Sequence, residues 1–277
     1  MTKSAVIRLV CRATAAVLAL ASPALAAGPM PIADAPVVAP GPPAVLDWSG
    51  PYAGLSLGAS FDDGRARRED AVGGLIERDV ALGLFPGSID DEDRALLGGG
   101  HVGFNTQRGS FVAGVELDIG GLGKKNEFEF SRIDPGTGLP DFEGVNTVSG
   151  YSTDFDNLAS LRLRAGLSRN RSLFYVTAGI AGGAVENEFT LDLEDPRDQV
   201  DFSGSWSDEG TRIGYVVGLG LEHRLMDRLS LRAEASYYDL EDVTIEARDE
   251  VVFPGQSLSY EFGNDTIIAE VGISYHF

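Results

Sequence analysis

One cysteine and three histidines are all that the 277 residues offer of those two types. The cysteine, Cys11, lies inside an N-terminal segment with the marks of an export signal. Arg12 follows it, whereas a lipoprotein site would place cysteine just past a small-residue box. Beyond that segment no disulfide framework, thiol nucleophile or cysteine metal site can exist. His101, His223 and His276 fall on different expected strands, so no shared metal cluster is expected. No Ser-His-acid spacing presents itself either, which argues against an enzyme, including one that works on lipid as some small barrels do. Basic residues are scarce, 22 Lys and Arg against 42 Asp and Glu, and so acidic a surface is a poor partner for nucleic acid. Long apolar runs are missing too. After the first 26 residues no window holds the ~20 apolar residues that a membrane-spanning helix needs.

What is present begins with that first segment. Lys3, Arg8 and Arg12 form a cationic start, Ala13 to Ala21 an apolar stretch, and Ala24-Leu25-Ala26 a cleavage box, so residues 1–26 read as a secretory signal peptide. Without its three basic residues the chain keeps 19 Lys and Arg against 42 Asp and Glu, a net charge of −23. From Gly28 to Leu46 the composition is Pro, Ala and Val with almost no charge. Such a stretch favours extended polyproline-like structure and builds no core. Residues 27–47 therefore read as a periplasmic tether, and residues 48–277 as the folded part.

In that part, apolar and polar residues alternate in eight places, and a period of two marks strands with two chemically different faces. The end of the chain is clearest. Ile267, Ala269, Val271, Ile273, Tyr275 and Phe277 share one face; Ile268, Glu270, Gly272, Ser274 and His276 share the other. The same split recurs at 229–238, 213–222, 160–167 and 110–120, and more weakly at 52–61, 98–107 and 173–185. Charge lies on the glycine side each time. Three connections are tight (107–110, 169–172 and 226–228), and four are long and charged (62–97, 121–155, 186–210 and 241–265). Short and long alternate without exception. An up-and-down barrel in the outer membrane has this asymmetry, with short periplasmic turns and long external loops, whereas a soluble sandwich has no reason to sort its loops by side. Strands of about 10–12 residues match the ~9–11 that a tilted strand needs to cross the hydrocarbon. The expected fold is an all-β, eight-stranded antiparallel transmembrane barrel; a soluble periplasmic β-protein is the weaker reading.

Two stretches carry a family resemblance: Trp48-Ser49-Gly50-Pro51-Tyr52-Ala53-Gly54, and the terminal Val271-Gly272-Ile273-Ser274-Tyr275-His276-Phe277. The first resembles the opening of the alphaproteobacterial outer-membrane β-barrel (porin-like, major surface antigen) family, small OmpA-like barrels of eight strands. The second is similar to the C-terminal signal read by the barrel-assembly machinery, with Val271, Ile273, Tyr275 and Phe277 as its alternating residues. The resemblance implies location in the outer membrane, with its lipids, lipopolysaccharide and the assembly machinery as partners. It implies no substrate, and leaves an external ligand or host surface open as the loops' partner.

The expected interior bears Glu116, Asp118, Arg162, Arg164, Arg212, Glu222, Arg224, Arg232, Glu234 and Glu270. An eight-stranded barrel is just wide enough for side chains to fill, so these residues read first as a plug of ion pairs. The alternative is a porin-like passive path for small ions, lined by the same residues. Interior room would come from Gly58, Gly103, Gly114, Gly166, Gly218, Gly220 and Gly272, with Gly54 offset from that face. Trp48, Tyr52, Phe111, Tyr215, Tyr237, Tyr275 and Phe277 suit two interfacial girdles. The acidic clusters of the loops (62–63, 90–93, 192–195 and 241–242) lack the spacing of a calcium loop and read as a solvated surface. No cofactor and no metal are expected. The role expected from all this is structural: envelope integrity, with surface interaction through the loops.

Overall fold

The computed structural model describes residues 46–197, 202–250 and 253–277, with side chains for all of these but 62–64, 90–93 and 122–126. The expected signal peptide, and the tether up to residue 45, lie outside the described residues. Eight strands close into one ring: β1 Gly50–Val72, β2 Ser88–Arg108, β3 Phe111–Ile133, β4 Asn146–Arg169, β5 Ser172–Glu194, β6 Phe202–Arg224, β7 Leu229–Arg248 and β8 Ser257–His276. Every neighbour is antiparallel, and the ring closes where β1 meets β8, from Tyr52↔His276 to Asp62↔Thr266. The three short links are tight hairpins, with positive φ at Gly109 and Asn170. They lie at the same end as the last residue, which fixes that end as periplasmic.

The strands are 20 to 24 residues long, about twice the length expected. The stretches expected as external loops are largely strand. Among the described residues only their tips are irregular, and the link between β1 and β2 holds a short helix, α1 (Gly74–Ala81).

Beyond the membrane-spanning half the ring changes form. β2 pairs with β3 only as far as Gly98↔Gly121, and β6 with β7 only as far as Gly214↔Leu240. The other strands stay paired almost to their tips. The barrel thus splits into two four-stranded sheets, β7-β8-β1-β2 and β3-β4-β5-β6, which face each other as a sandwich. Its core is apolar. Val243, Ile245, Tyr260 and Phe262 from one sheet meet Tyr151, Phe189, Leu191 and Leu193 from the other, and Tyr260 packs edge-on against Tyr151 and stacks with Phe189.

Bulges mark the transition. The register shifts between Phe155 and Leu158 in β4, and between Leu240 and Val243 in β7. In each, two residues stand opposite one, Asp156-Asn157 against Ala184 and Glu241-Asp242 against Gly263, so one extra residue enters and the inward set changes from even to odd numbers. A bulge bends the strand and re-aims its side chains, as the step from barrel to sandwich requires.

Candidate functional site

In the membrane half the outer face is apolar: Leu55, Leu57, Val102, Phe104, Leu117, Ile119, Leu163, Val176, Ile180, Ile213, Val271 and Ile273 all stand exposed. The inner face collects the charges. Arg162, Arg164 and Arg232 are at most 2% exposed, and they join five carboxylates contributed by β3, β6, β7 and β8.

Glu116 is the hub. It accepts from Arg162 Nη2 at 2.9 Å, Arg232 Nη1 at 2.8 Å and the Tyr52 hydroxyl at 2.7 Å. Arg162 also donates to Asp118 at 3.0 Å and to Glu234. Arg232 donates to Glu234 at 2.8 Å and to Glu270 at 3.3 Å. Glu234 accepts further from Tyr175 at 2.7 Å and Ser236 at 2.8 Å. Arg164 donates to Glu222 at 2.5 Å and lies over the Tyr175 ring at 3.7 Å. The cluster is a built network in which each carboxylate has a guanidinium partner, the condition under which buried ions are tolerated. Five carboxylates face three guanidinium groups. The two least enclosed, Asp118 and Glu270, line a cavity of about 30 Å³ with Ser56, Ser160 and Tyr238. A polar cavity of that size has room for water.

Eight of the ten residues expected inside stand in this network. Arg212 does not: it faces inward above the network and pairs with Asp208, four residues back on its own strand. Arg224 also stays out. It lies at the periplasmic mouth, donates to the Asp227 carbonyl and covers the Trp48 ring at 4.6 Å. Both share the inward phase of β6, but the network occupies only the middle of the barrel, and height along a strand is not written in its period. Trp48 and Tyr52, expected in a girdle, are buried inside. Trp48 packs with Val112, Leu173 and Tyr175 as a periplasmic plug. Gly54 faces inward as well, since a Cβ there would come within 2.5 Å of the His101 ring. Phe111, Tyr215, Tyr275 and Phe277 do face out, and so do Val271 and Ile273, which places the whole terminal set on the lipid side.

The sequence gives no hint of what the closed sheet does with two histidines. His276 Nε2 lies 2.9 Å from Glu222 and 3.0 Å from Ser230 Oγ, while His101 Nε2 lies 2.8 Å from Ser274 Oγ. Three residue types of a catalytic triad therefore meet at the barrel floor, contrary to expectation from their spacing. A relay needs the acid and the nucleophile on different ring nitrogens. Here both face Nε2, and Trp48 stands edge-on against the ring at 5.5 Å. His223 points outward, where Nδ1 lies 2.9 Å from Ser172 Oγ.

Above the network a second layer, Leu97, Phe155, Leu158, Val185, Val216, Leu240 and Ile268, fills the barrel, and the sandwich core lies above that. At the top, Arg78 of α1 reaches across the β2/β3 split to Asp134, with bonds of 2.9 and 2.8 Å, and to the Thr137 carbonyl at 2.7 Å. Burial, together with the Asp134 charge, raises the neighbouring Asp79 carboxyl to about 6, against the pull of Arg78.

A closed antiparallel ring with an apolar belt, a buried charge network and both ends filled defines an integral outer-membrane β-barrel protein. The model of the outer membrane protein beta-barrel domain family matches residues 13–277, and the chain belongs to that family. It is 28% identical over 206 residues to the 25 kDa outer-membrane immunogenic protein of Brucella canis, covering 72% of this chain and 71% of that one. It is 30% identical over 189 residues to a 22 kDa outer membrane protein of Rhizobium leguminosarum bv. viciae, covering 67% and 69%. Among solved structures it is similar to the outer membrane protein OprG of Pseudomonas aeruginosa, at 14% identity and a TM-score of 0.45, covering 83% of this chain and 96% of that one.

Proposed function

We propose that the protein is a closed, non-conducting barrel that braces the outer membrane and presents its sandwich to the surroundings. The observation that carries this reading is the sequence of layers along the axis: the Trp48 plug, the ion-pair network, the apolar layer from Leu97 to Ile268, and the sandwich core. Two of these layers are apolar across the bore, and a permeating ion would have to shed its water in each. The enclosure of Ser230, His276 and Glu222 speaks against catalysis in the same way. Relatives named for being immunogenic are in keeping with a part of the molecule that faces outward. Partners on this reading are outer-membrane lipid and lipopolysaccharide around the belt, and the assembly machinery at the terminal set Val271, Ile273, Tyr275 and Phe277.

Planar-bilayer conductance tests the reading. Protein shown to be folded by its heat-dependent gel mobility should give no steps, and Arg162→Ala and Glu234→Ala should give none either. Reproducible ohmic steps from the unmodified protein, altered by those substitutions, would replace the brace with a passive channel for small ions.

A further inference from the structure

The split between β6 and β7 leaves two strands standing in the medium with one side of each unpaired among the described residues. On β6 the unpaired stretch is Phe202–Ile213; on β7 it is Glu241–Arg248. Every second residue of such a strand turns its N–H and C=O away from the neighbour it does have, so β6 offers a row of backbone donors and acceptors to the outside. The two strands are bridged by a side chain instead of a ladder: Trp206 Nε1 donates to the Arg248 carbonyl at 3.1 Å. An indole in that place holds them further apart than the 4.7–4.9 Å of paired strands.

Natural edges are usually blunted by lysine, proline or a bulge. Phe202–Ile213 has no lysine and no proline, and its register against β5 runs without a shift. Its solvent-side residues Ser203, Ser205 and Ser207 are small and exposed. The charge around it has one dominant sign. The described side chains beyond the membrane half, in 61–95, 121–156, 184–212 and 241–266, include 25 acidic and 9 basic residues. Asp208 and Glu209 on the edge itself outnumber Arg212, which pairs with Asp208, and across the gap Glu241, Asp242 and Glu246 outnumber Arg248.

We infer that the β6 edge, Phe202–Ile213, docks an extended segment of a partner protein as an added strand, and that this segment carries basic side chains at alternate positions. Backbone pairing would supply the affinity, and the acidic surroundings the choice of partner. A second copy of this chain is the poorer occupant, because two such acidic edges repel each other. The inference deepens the outward-facing role given to the sandwich. Its failure would leave the closed bore untouched, since conductance reads that separately.

The test uses the full protein in neutral detergent and a ten-residue peptide of alternating Val and Lys, carrying a carbon-13 carbonyl. Trp206 is one of two tryptophans and reports on the gap by fluorescence, with Trp206→Phe identifying its share. The peptide should shift that emission and show its labelled carbonyl at a β-sheet infrared frequency. Binding should weaken at least tenfold when two central valines of the peptide become proline at unchanged charge, and equally for the protein variant Ser205→Lys/Ser207→Lys, whose substitutions sit on exposed positions. Equal binding of the proline peptide would reduce the effect to charge and overturn the inference. So would absence of binding, or a dimer of the unmodified chain that the double-lysine variant dissolves.

Discussion

The two halves of the molecule obey opposite rules. In the membrane half, apolar side chains face out and charges face in; in the sandwich, apolar side chains face in and charges face out. β5 shows both on one strand without a bulge. Phe174, Val176 and Ile180 stand exposed at even positions below, whereas Phe189, Leu191 and Leu193 are buried at odd positions above. The backbone phase is constant and only the solvent changes, from hydrocarbon to water. Each half therefore depends on a different force. Burial of apolar surface holds the sandwich together. Inside the membrane, lipid tails offer apolar side chains the same environment as a core would, so specificity of closure falls to hydrogen bonds and ion pairs.

The largest expected break in this contrast comes from the network. Arg232→Ala would leave Glu116, Glu234 and Glu270 each short of a partner while they stay buried. Removing one member of a buried pair costs about 3–5 kcal/mol. Urea unfolding in lipid vesicles should show that loss for the whole barrel. A loss under 1 kcal/mol would mean that water already compensates these carboxylates and that the network is not what closes the ring.

A single substitution made in each half sharpens the comparison. Leu163 on β4 is 72% exposed to lipid, and Leu163→Arg should cost about 2–4 kcal/mol, the range for arginine at the midplane of a barrel wall. Ser152 lies on the outer face of the same strand above the bulge, between Glu127 and Glu188 in register. Ser152→Arg should change stability by no more than about 0.5 kcal/mol, as surface substitutions do. Equal costs in the same unfolding assay would place the water boundary elsewhere than at the bulges.

These rules also explain what the sequence made legible. The eight alternating segments are the membrane-crossing parts, because there the two faces differ most: 213–222 in β6 and 229–238 in β7 reappear nearly residue for residue below the splits. The upper strands hide in the charged stretches for two reasons. In β4 and β7 the one extra residue at each bulge, within Asp156-Asn157 and Glu241-Asp242, breaks the period, and in β5 the apolar set passes from even to odd numbers at the water boundary. Glu116, Arg162, Arg232 and Glu234 could be named from their phase alone. Trp48 and Tyr52 could not, because an aromatic at a strand's start suits a girdle and a plug equally. The meeting of His276, Ser230 and Glu222 depends on the registers of three neighbouring strands, β6, β7 and β8, which join residues 46 and 54 positions apart.

The smallest expected effect lies at the top of the sandwich, where α1 spans the β2/β3 split. Asp79 titrates near 6 because burial and the charge of Asp134 disfavour its ionised form. A carboxyl raised in the folded state above its unfolded value of 3.8 contributes stability that is fully present below about pH 4 and lost as the pH climbs through 6. With Arg78 beside it and solvent close by, the effect should reach no more than about 1 kcal/mol. Hydrogen exchange of the α1 amides, corrected for intrinsic rate, should then show stronger protection at pH 4.5 than at pH 7.5, while β3–β4 amides of the membrane half stay level. Asp79→Asn removes the titrating group, keeps the shape, and should hold α1 protected at both values. If the variant keeps the slope of the parent, the titration belongs to another group and the Arg78 bridge to Asp134 is indifferent to Asp79.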